Sequence, residues 1–98
     1  MKLRGFDALI HPPNRLQICA LLMPLEEAEF QLVRETIGVS DSLLSKQIRQ
    51  LEDAGYVEMR KGAANGRPRT WIRLTGRGRK AFTAHVEALR EIASLAQG

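Results

Sequence analysis

Ninety-eight residues suffice for one domain with a single modest core and are too few for two. With 44% hydrophobic and 27% charged residues the balance is that of a soluble globular chain, and the absence of any apolar run near the roughly 20 residues of a membrane span, or of a signal-peptide core, sets a cytoplasmic location as the expectation. The formal charge of +4 is unevenly placed: residues 40 to 80 carry ten Lys or Arg against four Asp or Glu, on a remainder that is net negative, which is the footprint of a polyanion binder.

Residues 1 to 13 form an N-terminal arm or short helix packing on a partner element, because Leu3, Phe6, Leu9 and Ile10 fall at helix-like spacing and His11, Pro12 and Pro13 close the segment. Asn14 then caps a first helix to about Met23, with Leu16, Cys19, Ala20, Leu22 and Met23 as its apolar face and Pro24 as its stop. Cys19 is the only cysteine, so no intrachain disulfide or thiol cluster is available, and its apolar surroundings mark it as a small buried hydrophobe. Leu25 to Glu29 connect, with room for one short extended segment. A second helix, Phe30 to Ile37, carries Phe30, Val33 and Ile37 on one side and ends at Gly38.

The run GVSDSLLSKQIRQLEDAGY, residues 38 to 56, predicts a third helix. Ser40 is the N-cap, Val39 and Leu44 stand at staple positions, and Gly55 is the stop. Leu44, Ile48 and Leu51 make an apolar stripe opposite Ser42, Ser45, Lys46 and Arg49. Short hydroxyls and long cations suit a major groove, where they meet base edges and phosphate; an ordinary solvated face is the alternative.

After Gly55 the period changes to alternation. Tyr56, Val57 and Met59 predict one strand and Thr70, Trp71, Ile72 and Leu74 another, with Thr70, Ile72 and Leu74 facing the core and Trp71 and Arg73 facing away. Between them KGAANGRPR, residues 61 to 69, gives a long cationic tip that reverses at Asn65 and Gly66. Thr75 caps a final helix whose first turn should fray at Gly76 and Gly78. Its stripe of Phe82, Val86, Leu89, Ile92 and Leu95, flanked by His85, either packs on the chain's own first helix or pairs with a second subunit. His11 and His85 lie far apart without a repeat of ligand spacing, so neither a metal nor another cofactor is expected.

Taken in order, FQLVRETIGVSDSLLSKQIRQLEDAGYVEMRKG (residues 30 to 62) and RTWIRLTGRGRKAF (residues 69 to 82) resemble short single-domain winged helix-turn-helix transcription regulators of the MarR/ArsR-like kind. The resemblance implies a mainly α fold with a small β-hairpin, an α+β winged helix comprising a core at residues 14 to 75 and a C-terminal dimerisation helix at 76 to 98. It implies a homodimer on double-stranded DNA, with helix 41 to 54 in the major groove and Ser42, Ser45, Lys46 and Arg49 nearest bases or phosphates. Ser40 and Gln47 are secondary contacts; Lys61, Arg67 and Arg69 of the basic wing lie on the minor groove or backbone. The interface would use Phe82, His85, Val86, Leu89, Ile92 and Leu95. The metal-sensing cysteine motif of many ArsR relatives is absent from the third helix, as are the longer flanking helices that form a ligand cleft in full-size MarR proteins.

A winged helix serving as a protein-protein module is the alternative, which leaves the cationic hairpin without a task. An enzyme finds little support, because the glycines at 62, 66, 76 and 78 lack the following Lys-Ser or Lys-Thr of a phosphate-cradling loop.

Overall fold

The computed structural model describes residues 3–98, so the first two residues of the expected arm lie outside the described residues. The elements are α1 (Pro13–Leu22), β1 (Ala28–Glu29), α2 (Phe30–Ile37), α3 (Asp41–Asp53), β2 (Val57–Ala64), β3 (Arg67–Leu74) and α4 (Gly76–Leu95). The strands make one antiparallel sheet in the order β1-β3-β2, giving a winged-helix α+β arrangement.

The prolines open α1 rather than preceding it. Pro12 is the N-cap and Pro13 the first helical residue, so Asn14 does not cap; a proline fits the first turn because its missing N–H would have had no helical partner. Ile18, Cys19 and Leu22 are the buried face, whereas Ala20, expected there, is exposed. The helix ends at Leu22, and the Arg79 guanidinium takes up carbonyls just beyond it, Met23 at 2.6 Å and Leu25 at 2.9 Å.

α3 has the boundaries its local chemistry dictates. The Ser40 hydroxyl accepts the Leu43 N–H at 3.1 Å. At the other end Gly55, with φ +78°, lets its own N–H reach Glu52 O and the Tyr56 N–H reach Leu51 O, both at 2.9 Å, satisfying carbonyls that the helix leaves unpaired. Leu44, Ile48 and Leu51 are fully buried with Ile10, Ile18, Cys19, Leu22, Val33, Val57, Ile72 and Leu74. Burying each large aliphatic side chain is worth about 1.5–3 kcal/mol, so this stripe holds α3 on the body.

The wing is longer in strand and shorter in loop than expected. Only Asn65 and Gly66 form the reversal, with φ values of 53° and 75°, the pair of positive angles that a two-residue hairpin turn requires. Residues assigned to a tip therefore stand on the ladder, with Lys61 opposite Thr70, Gly62 opposite Arg69 and Ala64 opposite Arg67. β1 covers only Trp71 and Ile72, leaving the outer part of β3 an edge on that side, a setting that tolerates Pro68.

The start of α4 is packed, not frayed. Thr75 Oγ1 accepts the Gly78 N–H at 3.0 Å and donates to Gly55 O at 2.7 Å, fastening the first turn of α4 to the end of α3. Residues 91–98 are all exposed, and the molecule measures 56 × 25 × 21 Å because α4 runs beyond the body. The arm contains turns rather than a helix: Asp7 Oδ1 accepts the N–H groups of Leu9 at 2.9 Å and Ile10 at 3.2 Å, and Ile10 joins the chain's own core.

Candidate nucleic-acid interface

Burial of Leu44, Ile48 and Leu51 forces Ser42, Ser45, Lys46 and Arg49 outward, and all four are exposed. Ser40 is exposed too, but its hydroxyl is engaged in the cap and lies 3.3 Å from the Ser42 hydroxyl. Gln47 departs from this group. It is half-buried, and its Oε1 accepts from Arg15 Nη1 at 2.7 Å, which turns the side chain toward α1.

The cations of this region divide by whether they are neutralised. Arg34 pairs with Asp41 at 2.9 Å, cancelling the one acid in the first turn of α3. Arg60 stacks 4.1 Å over Trp71 and grips Glu27 at 2.7 Å, a pair that holds the Glu27 carboxyl below its ordinary range through the hydrogen bond and raises the Arg60 guanidinium. Arg73 meets Glu58 at 3.2 Å. Arg69 is half-buried and stands a loose 3.9 Å from Glu29, with its Nε left without a hydrogen-bond partner among the described residues. By contrast Lys46, Arg49, Lys61 and Arg67 make no ion pair among the described residues, and all four are exposed. Arg34, Arg15 and Arg60, passed over in the sequence, set this division by occupying acids or fixing neighbours.

Helix and wing meet along a continuous surface. Ser45, Arg49 and Glu52 of α3 share a shallow cleft of about 170 Å³ with Met59 of β2. Lys61, two residues on, faces the same side of β2 as Met59. It also lines a groove of about 430 Å³ with Gly62, Pro68, Arg69 and the start of α2. Two acids line this surface, Glu52 in the cleft and Glu29 in the groove.

The stripe of α4 splits. Phe82 packs on the core, Val86 and Leu89 are half-buried, and Ile92 and Leu95 are 38% and 63% exposed. His85 leaves the outward set altogether: it is fully buried by its own chain, because the arm crosses α4 at this point. Its Nδ1 accepts the Asp7 N–H at 2.9 Å, its Nε2 lies 3.1 Å from His11 Nδ1, and the Phe6 ring packs edge-on at 4.8 Å. Burial, then His11, lowers its pKa against an opposing pull from Asp7. The two histidines that the sequence separates are thus in contact. Since Nδ1 takes an N–H, the neutral ring carries its proton on Nε2, and neither nitrogen of His85 is free to bind a metal.

The family description "Winged helix DNA-binding domain" matches residues 14–93. An uncharacterized protein of Methanocaldococcus jannaschii, MJ0432, is 35% identical over 78 residues, spanning 80% of this chain and 85% of that one. The structure of a transcriptional regulator homologue protein from Pyrococcus horikoshii OT3 superposes with a TM-score of 0.84 at 27% identity, over 90% of this chain and 87% of the other. The PcaV transcriptional regulator of Streptomyces coelicolor, solved with its natural ligand, shares the fold with a TM-score of 0.76 at 17% identity, over 92% of this chain and 62% of its own.

Proposed function

The chain belongs to the winged helix DNA-binding domain family and is a DNA-binding transcription regulator; from that premise we propose that it acts as a homodimer on a two-fold related duplex site, with α3 in the major groove and the wing on the minor groove or the phosphate backbone. The observation that carries this reading is the division of cations. Lys46, Arg49, Lys61 and Arg67 are exposed and make no ion pair among the described residues, while the neighbouring Arg34, Arg60 and Arg73 are paired internally. Lys46, Arg49 and Lys61 lie along one surface, and Arg67 stands on the other face of the hairpin beside its turn; unpaired cations gain most from a polyanion, because each phosphate they neutralise releases condensed counterions.

Ser42 and Ser45 supply short donors and acceptors between these charges, suited to base edges, and Arg49 has the reach for guanine. Ile92 and Leu95, with Leu89 and Val86 behind them, form the apolar strip on which a second α4 would close. Such pairing would set two copies of α3 about 34–36 Å apart, one helical turn of DNA.

The test is selection of bound sequences from random duplex DNA, followed by anisotropy titration of the product at several salt concentrations. A two-fold symmetric consensus and an affinity that falls steeply with salt are expected. Absence of duplex binding at low salt would sink the proposal, and an asymmetric half-site bound by a monomer would remove the dimer from it.

A further inference from the structure

The groups around His85 form a chain that spans three parts of the molecule. Tyr56, in the turn that ends α3, donates its hydroxyl to Asp7 Oδ2 at 2.6 Å. Asp7, in the arm, gives its backbone N–H to His85 Nδ1 at 2.9 Å, and His85 of α4 faces His11 Nδ1 at 3.1 Å through Nε2. Phe6 packs against both imidazoles, and Gly5, at φ +82°, lies against Ala84 of α4. A second tie runs from Arg15, which donates to Leu9 O in the arm and to Gln47 of α3. The arm is therefore fastened at once to α4 and to α3.

This chain permits one protonation state. His85 Nδ1 must be bare to accept from Asp7, so its proton sits on Nε2 and points at His11, whose Nδ1 must be bare in turn. An added proton on His85 can enter only at Nδ1, where it would face the Asp7 N–H. An added proton on His11 Nδ1 would face the N–H of His85, which cannot turn its own proton away without meeting Asp7. Either proton breaks a hydrogen bond that holds the arm.

We propose that Asp7, His11 and His85 constitute a proton-operated latch, closed when both imidazoles are neutral, which releases the N-terminal arm from α4 and from the end of α3 in mild acid. The groups that face His85 are Asp7 and His11; Tyr56, Arg77 and the buried Cys19 thiol stand around Asp7 and its phenol partner. Asp7 is the positive influence on a His85 proton, and burial together with His11 outweighs it. Acid release would uncover His85 and the adjacent face of α4 while freeing Tyr56.

Nitrogen-15 NMR of the full chain tests this. At pH 7.5 the His85 ring should show the neutral form protonated on Nε2, and the Asp7 amide should be protected from hydrogen exchange. Below the onset of release, each lower pH unit should raise the opening equilibrium of that amide, corrected for intrinsic exchange, by up to about a hundredfold, the limiting slope of two coupled protons. His11→Asn keeps an acceptor for His85 Nε2 but leaves one imidazole in the latch, and should reduce that slope to about tenfold per pH unit, one coupled proton. An Asp7 amide that stays equally protected from pH 7.5 to 5, or a slope that His11→Asn leaves unchanged, overturns the latch. The readout is independent of DNA, so the latch stands or falls separately from the proposed operator binding.

Discussion

The α-carbon of Gly78 lies beneath the carbonyl of Tyr56 so closely that a methyl group at Gly78 would overlap that oxygen and press to 2.9 Å from Leu74 Cδ2. Glycine here is a packing requirement, since the first turn of α4 can reach the end of α3 only without a side chain. Gly78→Ala should therefore destabilise by about 1–3 kcal/mol, the usual cost of overpacking, which for a domain of this size lowers Tm by roughly 4–8 °C per kcal/mol. Gly76, two residues earlier, has an ordinary φ, and a methyl group there would meet nothing within 4 Å. Gly76→Ala should leave stability unchanged or raise it by up to about 1 kcal/mol. Thermal melts of the two variants check the pair, and similar shifts for both would refute the distinction.

Cys19 is expected to be chemically silent. Burial, helped by Asp7, pushes its thiol up to about 12, so almost no thiolate exists at neutral pH and reagent has no access. Labelling with a chromogenic disulfide at pH 8 should proceed only at the rate of unfolding and become immediate in denaturant. Rapid labelling of the native chain would contradict the burial.

Tyr56 should give the fold an alkaline limit. Its phenol donates to the Asp7 carboxylate, and that bond, then burial, raises its pKa above the ordinary 10. A raised folded pKa means the stabilisation is complete below the unfolded value and is lost as pH rises through the folded one. Tyr56→Phe should cost about 1 kcal/mol at pH 8, below the roughly 1.5–3 kcal/mol usual for a hydrogen bond to a charged acceptor because the ring is only half-buried. Its stability should also decline less than the wild type's between pH 9.5 and 11 in urea titrations. Parallel decline in the two proteins would assign the alkaline loss elsewhere.

How much of this was legible follows from the range of the interactions. The cap at Ser40, the stop at Gly55 and the stripe of Leu44, Ile48 and Leu51 depend on residues within one or two turns, so α3 could be read almost to its ends. The wing could not. Gly62, Ala63, Arg67 and Pro68 are poor strand formers, and their extended shape comes from pairing across the hairpin. Gln47 and His85 were misplaced although a local signal existed: Gln47 sits three residues after Leu44 and four before Leu51, His85 three after Phe82 and four before Leu89, so both flank an apolar stripe. Their partners, Arg15 at 32 residues' remove and Asp7 at 78, lie outside any local pattern.

The division of cations makes its sharpest prediction at Arg49 and Arg67. Both are exposed and neither forms an ion pair among the described residues, but they stand on different elements, Arg49 in the third turn of α3 and Arg67 beside the hairpin turn. On the proposed geometry Arg49 faces base edges, where a bidentate contact to guanine is worth about 1–3 kcal/mol of discrimination. Arg49→Ala should therefore weaken the selected duplex by that amount while leaving random duplex nearly unchanged. Arg67 at the wing turn meets the backbone, or the minor groove with its degenerate pattern, so Arg67→Ala should weaken selected and random duplex alike and reduce the salt slope by about 1. Anisotropy titrations of both variants on both duplexes across a salt series provide the comparison. If Arg49→Ala lowered affinity for random duplex as much as for the selected one, α3 would be a backbone contact and the specificity would have to come from the wing.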